Sequence, residues 1–133
     1  MNRAELTRWI REQYGVEPEY PWPETPRHGL FRHPGNRKWF AIIMDIPRDR
    51  LEPGSTGRID VVNLKGDPML IGALLGLPGI YPAYHMNKTH WISVALDGRV
   101  DEEQLKGLLA MSRDLSGGGR GRRDPKNGET GRG

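Results

Sequence analysis

The run Trp39–Met44, WFAIIM, constrains this chain more than any other feature. In a strand, successive side chains point to opposite faces, and a half-buried strand shows it as apolar–polar alternation. Here both alternations are apolar, so neither face can be left to water. The turn sequence His33-Pro34-Gly35-Asn36 precedes the run, and the polar, Pro/Gly-punctuated loop 47–57 follows it. The segment predicts a central strand, residues 37–46, paired as a hairpin with residues 28–33 and covered on both faces.

The cover must come from the rest of the chain, where three capped amphipathic segments read as helices. In the first, at about 3–14, Asn2 and Glu5 form a capping box and Gly15 suits the end. Leu6, Trp9, Ile10 and Tyr14 share its apolar face. The second, at about 67–76, opens on Asp67-Pro68, with Leu70, Ile71, Leu74 and Leu75 as its buried stripe. The third, at about 101–115, starts from Asp101 and Gln104 and carries Leu105, Leu108, Leu109 and Leu115. Residues 58–65 read as a strand. So does the run in which Ile92, Val94 and Leu96 alternate with Trp91, Ser93 and Ala95, after a loop LPGIYPAY. Prolines at 18, 21, 23 and 26 exclude helix and central strand and predict an extended crossing of the surface, with Tyr20 and Trp22 tucked in. The order lacks βαβ alternation. It predicts an α+β fold, an antiparallel sheet with helices packed on one face.

Residues 116–133 hold seven glycines and no apolar side chain, so nothing there offsets the entropy of ordering. The expected organisation is one domain, 1–115, and a disordered basic tail, 116–133. That tail also carries the charge. The chain is formally +3, and the five basic and two acidic residues of the tail leave fifteen of each in 1–115. A neutral domain makes global charge a weak pointer to an acidic partner, while leaving room for a local patch. With no cysteine, disulfides and thiolate metal sites are excluded, in keeping with a reducing cytoplasm. The charged N-terminus has no signal-peptide core, and no apolar stretch is long enough to span a bilayer, so a cytoplasmic protein without a membrane partner is expected.

Catalytic residues, cofactors and metal ligands are not expected. His28, His33, His85 and His90 lack metal-ligand spacing, because His85 and His90 are an odd number apart near a strand. Ser55 and Thr56 have no positioned base nearby, and Asp45, Asp49 and Glu52 read as a solvated loop face. Two polar clusters remain. Arg27, Arg32, Arg37 and Lys38 span the hairpin without an acid, a pattern able to reach phosphates as a wing. The plainer reading is a solvated edge on which charge discourages aggregation. The second, Tyr84-His85-Met86-Asn87-Lys88-Thr89-His90-Trp91, places hydrogen-bonding groups and a cation at the entrance to a strand. Its plainer reading is an irregular turn in which Asn87 and His85 satisfy backbone groups.

The run KGDPMLIGALLGLPGIYPAYHMNKTHWISVALDG resembles the MmcQ/YjbR signature, a Lys-x-x-Pro helix start leading to an (H)xNK-x-HW-x-x-V strand. Lys88 and Trp91 at that spacing are the most specific elements. RKWFAIIMDI is similar to the family's Lys-x-Phe-Ala central strand, and the resemblance covers essentially residues 1–115. It implies a frataxin-like (CyaY-like) fold and a DNA-binding protein with a double-wing surface. Arg32, Arg37, Lys38, Asn87, Lys88 and His90 are then the expected DNA contacts. Frataxin-type iron binding is not implied, because the first helix carries Arg3, Arg8 and Arg11 against Glu5 and Glu12. Two alternatives stand beside this reading. One is a protein-interaction module using the 79–91 face. The other is a small-molecule sensor with a pocket near 85–90.

Overall fold

A computed structural model describes residues 1–118 of the chain. Residues 39–44 open the long strand β2 (Trp39–Pro47), which is central in the sheet as expected. On one side it pairs with β1 (Gly29–Arg32), on the other with β3 (Arg58–Lys65). β5 (Trp91–Ala95) adds to β3, and the short edge strand β4 (Ile80–Pro82) adds to β5. All pairings are antiparallel, in the order β1-β2-β3-β5-β4.

The helices α1 (Arg3–Tyr14), α2 (Pro68–Leu74) and α3 (Glu102–Arg113) cover one face. Under them Leu6, Ile10, Phe40, Ile43, Leu64 and Leu109 form the main core. Each such fully buried side chain contributes on the order of 1.5–3 kcal/mol. The other face carries Leu30, Ile42, Met44, Val61 and Trp91, and loops rather than helices close it: Trp22 from the proline-rich segment, Leu51, Tyr84 and Met86. The expected fold class is therefore observed, and the second cover of β2 is built from irregular chain. Both ends of α1 are as expected. Asn2 Oδ1 accepts from the Glu5 amide, Glu5 returns a bond to the Asn2 amide, and Gly15 ends the helix at φ +67°.

The register explains how β2 serves both layers. Phe31 pairs with Ala41 but Arg32 pairs with Trp39, so Phe40 is a bulge residue and joins Ala41 on the helix side. The β2–β3 ladder also ends there, at Ala41–Leu64. The Ser112 hydroxyl takes over, donating to the Phe40 carbonyl at 2.5 Å and accepting from the Lys65 amide at 2.8 Å. The end of α3 thus clasps the sheet at one corner.

Several expectations need correction. The second helix spans 68–74 rather than 67–76; of its expected stripe Ile71 is buried, Leu74 and Leu75 are half-buried against the main core, and Leu70 is 50% exposed. Ile71 sits directly over Gly66, where an added Cβ would meet it at 3.1 Å. The loop LPGIYPAY contains β4. Three residues ending in proline show no strand pattern, but an edge strand tolerates Pro82. Gly79 leads into it at φ +82°, where an added Cβ would clash with Val100 at 2.9 Å. Tyr20 is 56% exposed rather than tucked in, because its ring lies across Gly29, whereas Trp22 is half-buried. The last helix ends at Arg113 and passes into a wider turn over Asp114–Gly118. That turn swings Leu115 outward and buries Ser116, whose hydroxyl donates to the Trp39 and Ser112 carbonyls. Asn36 holds the same carbonyl run from the hairpin, donating to Ser116 O at 2.9 Å. The packed chain therefore continues past the expected limit at 115. The rest of the expected tail, 119–133, lies outside the described residues. Among the described residues no helix is long and apolar enough to cross a membrane, and no group of three His, Asp or Glu could hold a metal ion.

Candidate functional site

The topology decides which loops meet. β1 ends, β2 begins, β3 ends and β5 begins at the same end of the sheet, since Arg32 pairs with Trp39 and Lys65 with Trp91. The β1–β2 loop, 33–38, and the β4–β5 loop, 83–90, both emerge there. All six expected contact residues, Arg32, Arg37, Lys38, Asn87, Lys88 and His90, lie on these two loops or at the strand end beside them.

The first loop is longer than the four-residue turn the sequence suggests. The His33 amide donates to Lys38 O, the Arg37 amide to His33 O, and Asn36 Oδ1 accepts from the Lys38 amide. Closing it puts Arg37 at φ +64°. The arginines are not acid-free, contrary to the local sequence. Arg32 and Arg37 each donate to Glu19 at 3.2 Å, Glu19 being carried in by the bridge between Glu19 and Leu30. Arg32 also reaches the Arg37 carbonyl, so its guanidinium braces the loop, while the Arg37 side chain stays 61% exposed.

The second loop is held by local bonds, as its plainer reading expects for Asn87. Asn87 Oδ1 accepts from the Thr89 amide, and its carbonyl accepts from the His90 and Trp91 amides. Among the described residues His85 makes no such bond; it adopts φ +57° and stacks on Tyr84, centroids 3.9 Å apart. Lys88 and His90 are exposed, and Lys88 forms no ion pair among the described residues.

Between the loops stands Lys65, which sequence reading passed over as the last residue of a strand. Its ammonium lies 5.7 Å from the Trp91 ring centroid. Burial, and then the nearby charge of Lys38, hold it below the ordinary lysine range. Like charges gathered in this way would be relieved by an anion. Lys65, Asn87, His90, Trp91 and Leu115 line a cleft of 370 Å³. A second, of 390 Å³, holds Arg50, Tyr84, His85 and Lys88. A third, of 320 Å³, lies on the helix-free face between Trp22, His28, Trp39, His85 and Met86. Asp67 stands next to this end too, but its carboxylate caps α2. The arrangement suits binding of an anionic chain. Within the 83–90 loop the Asn87 side chain holds backbone.

The YjbR family model matches residues 11–115. Bacillus subtilis YyaQ is 34% identical over 116 residues, covering 87% of this chain and 98% of YyaQ. Escherichia coli O157:H7 YbdF is 33% identical over 110 residues, covering 81% of this chain and 80% of YbdF. A crystal structure of a Pseudomonas syringae protein is similar at a TM-score of 0.85 and 41% identity, covering 87% of this chain and 99% of that one. A Deinococcus radiodurans protein with the domain DUF419 is similar at 0.65 and 26% identity, over 86% of this chain and 77% of that one.

Proposed function

The chain belongs to the YjbR family, and on that premise we propose that it is a non-enzymatic DNA-binding protein whose two loops, 33–38 and 83–90, contact the duplex backbone as paired wings. The observation that carries this reading is the convergence of both loops on one end of the sheet with Lys65 between them. Lys88, Lys65 and Arg37 are the principal phosphate contacts. Lys38 and His90 lie beside them, and Arg32 and Asn87 act mainly by shaping the loops. Contacts of this kind position a protein without reading sequence, so affinity should vary little between duplexes and fall steeply with salt.

The test is a salt titration of duplex binding by the full chain, repeated with Lys88→Ala and with the chain ended at Gly118. Loss of a phosphate contact lowers the salt slope by about 0.9. Binding indifferent to Lys88→Ala, Lys65→Ala and Arg37→Ala would refute the wings, and binding lost with residues 119–133 would assign affinity to that segment. A second reading, a protein-interaction module using the 79–91 face, is favoured by one observation beside that face. Met69, Leu70 and Leu77 are 88%, 50% and 40% exposed around α2. Substituting Met69 and Leu70 by Ser should leave DNA binding intact if the first reading holds.

A further inference from the structure

The helix-free face of the sheet carries a cleft walled on one side by the 83–90 loop. We infer that it receives a single unstacked nucleobase of a DNA strand, seated among Trp22, Trp39 and His85, with the adjoining phosphate in the neighbouring cleft by Lys88 and Arg50. This rests on the nucleic-acid reading above and adds single-stranded or locally opened DNA as the substrate class.

Three observations converge on it. The Trp22 and Trp39 rings stand edge to face, centroids 5.7 Å apart and planes at 80°, and both stay half-exposed. Two indoles left partly open in a cleft of 320 Å³ make a stacking platform, near the lower end of the roughly 300–1,000 Å³ typical of small-ligand sites. Thr25, His28 and His85 add polar groups at its rim, which a base edge can use and an aliphatic chain cannot.

The second observation is how firmly the His85 wall is held. His85 stacks nearly parallel to Tyr84, planes 14° apart. The Tyr84 amide donates to Ser93 Oγ and its carbonyl accepts from Asn63 Nδ2, both at 2.9 Å. The Ser93 hydroxyl in turn donates to Asn63 Oδ1 at 2.5 Å. Asn63 and Ser93 are fully buried in adjacent strands, where unpaired polar groups would be costly. Here they fix the corner that carries His85, which keeps φ +57° without being glycine. A preorganised wall of this kind fits a binding site better than a solvated turn.

Third, His85 lines both clefts, so an aromatic chamber and a cationic one share a wall. Arg50 is paired only loosely, 4.0 Å from Asp49, and its side chain is 60% exposed. A planar base on one side of that wall and a phosphate on the other match the two halves of one nucleotide.

The experiment uses the full chain and four probes: ten-residue oligothymidylate, an abasic deoxyribose-phosphate strand of equal length, a blunt duplex, and free thymidine monophosphate. Oligothymidylate should quench tryptophan fluorescence and bind roughly tenfold tighter than the abasic strand, the scale of one lost stacking contact. His85→Gly, which suits the left-handed backbone and removes only the ring, should erase most of that difference. Lys88→Ala should weaken both strands alike. Equal binding of the two strands, or indifference to His85→Gly, overturns the base site while duplex binding sensitive to Lys88→Ala keeps the wing reading. Free thymidine monophosphate binding as tightly as the oligonucleotide overturns a strand as occupant. Absence of binding by every probe overturns both readings.

Discussion

At the end of the sheet where β2 finishes and β3 starts, arginines and carboxylates are matched. Asp45 takes Arg58 at 2.9 Å and Arg27 at 3.0 Å, and Asp60 takes Arg3 and Arg27. Beyond them, Arg99 binds Asp97 and Glu52, with the Tyr81 hydroxyl closing the set at 2.6 Å from Glu52. At the opposite end Arg32 and Arg37 share one carboxylate, Lys65 lies near Lys38 and over Trp91, and Lys88 projects from its loop. A domain with fifteen charges of each sign is thus uneven. One end uses its charges to tie the 47–57 loop, α1 and the sheet together, and the other leaves Lys88 and Arg37 exposed to solvent. Neutrality of the sum says nothing about either.

The contrast breaks most sharply at Ser112. Its hydroxyl stands where the β2–β3 ladder stops, and Ser112→Ala leaves the Phe40 carbonyl and the Lys65 amide without that partner. We expect a loss of about 1–3 kcal/mol in chemical denaturation. Next comes charge itself. Lys65→Ala with Lys88→Ala should lower the salt slope of duplex binding by about two. Arg27→Ala with Arg58→Ala at the matched end should leave the slope unchanged; equal effects from both pairs would dissolve the distinction between the ends. Smaller again is Asp45→Asn, which strands two well-exposed guanidinium groups. Screening by solvent limits the loss to about 0.5–1 kcal/mol, and it should shrink in high salt.

Much of this fold was legible because local signals agreed with the tertiary result. Asn2 with Glu5, Asp67-Pro68 and Asp101 capped helices where expected, and WFAIIM demanded two covers. What the sequence hid is longer in range. Glu19 neutralises an apparently acid-free hairpin only because the proline-rich segment returns beside β1. Lys65 looks like an ordinary strand terminus until register sets it opposite Trp91. β4 is too short to display a period. Ser112 could have been noticed, since it continues the Leu105, Leu108 and Leu109 face at helical spacing, yet a lone serine does not announce a backbone partner in another element. For the site, the 84–91 segment stands out in the sequence as unusual, but Trp22 and Trp39 read simply as core, because loops from both halves of the chain make the cleft they line.

The subtlest expected difference between the two ends is in pH. Burial works to raise the Asp45 and Asp97 carboxyls, but the bonds and charges of Arg58 and Arg27, and of Arg99, more than offset it and hold both below the usual range. Hydrogen bonds from Tyr81 and Arg99 do the same for Glu52. A carboxyl depressed by folding contributes stability above its unfolded value, about 4, and loses it as pH falls through the folded value. The matched end should therefore weaken only in strong acid, and Asp45→Asn should flatten that limb. His33, at the cationic end, is buried against Phe40, and burial followed by the charge of Arg113 lowers its imidazole. The unfolded chain then takes up a proton near 6.5 that the folded chain resists, so stability falls as pH drops below about 6.5. His28, near Asp45, is lowered by burial as well and shares this window. Thermal melts from pH 7.5 to 2.5 should show two descents, the upper one softened by His33→Phe and, separately, by His28→Gln. A melting temperature constant between pH 7.5 and 5.5 would mean that neither imidazole is held neutral. A descent unaffected by His33→Phe would leave only His28, at the matched end, to account for it.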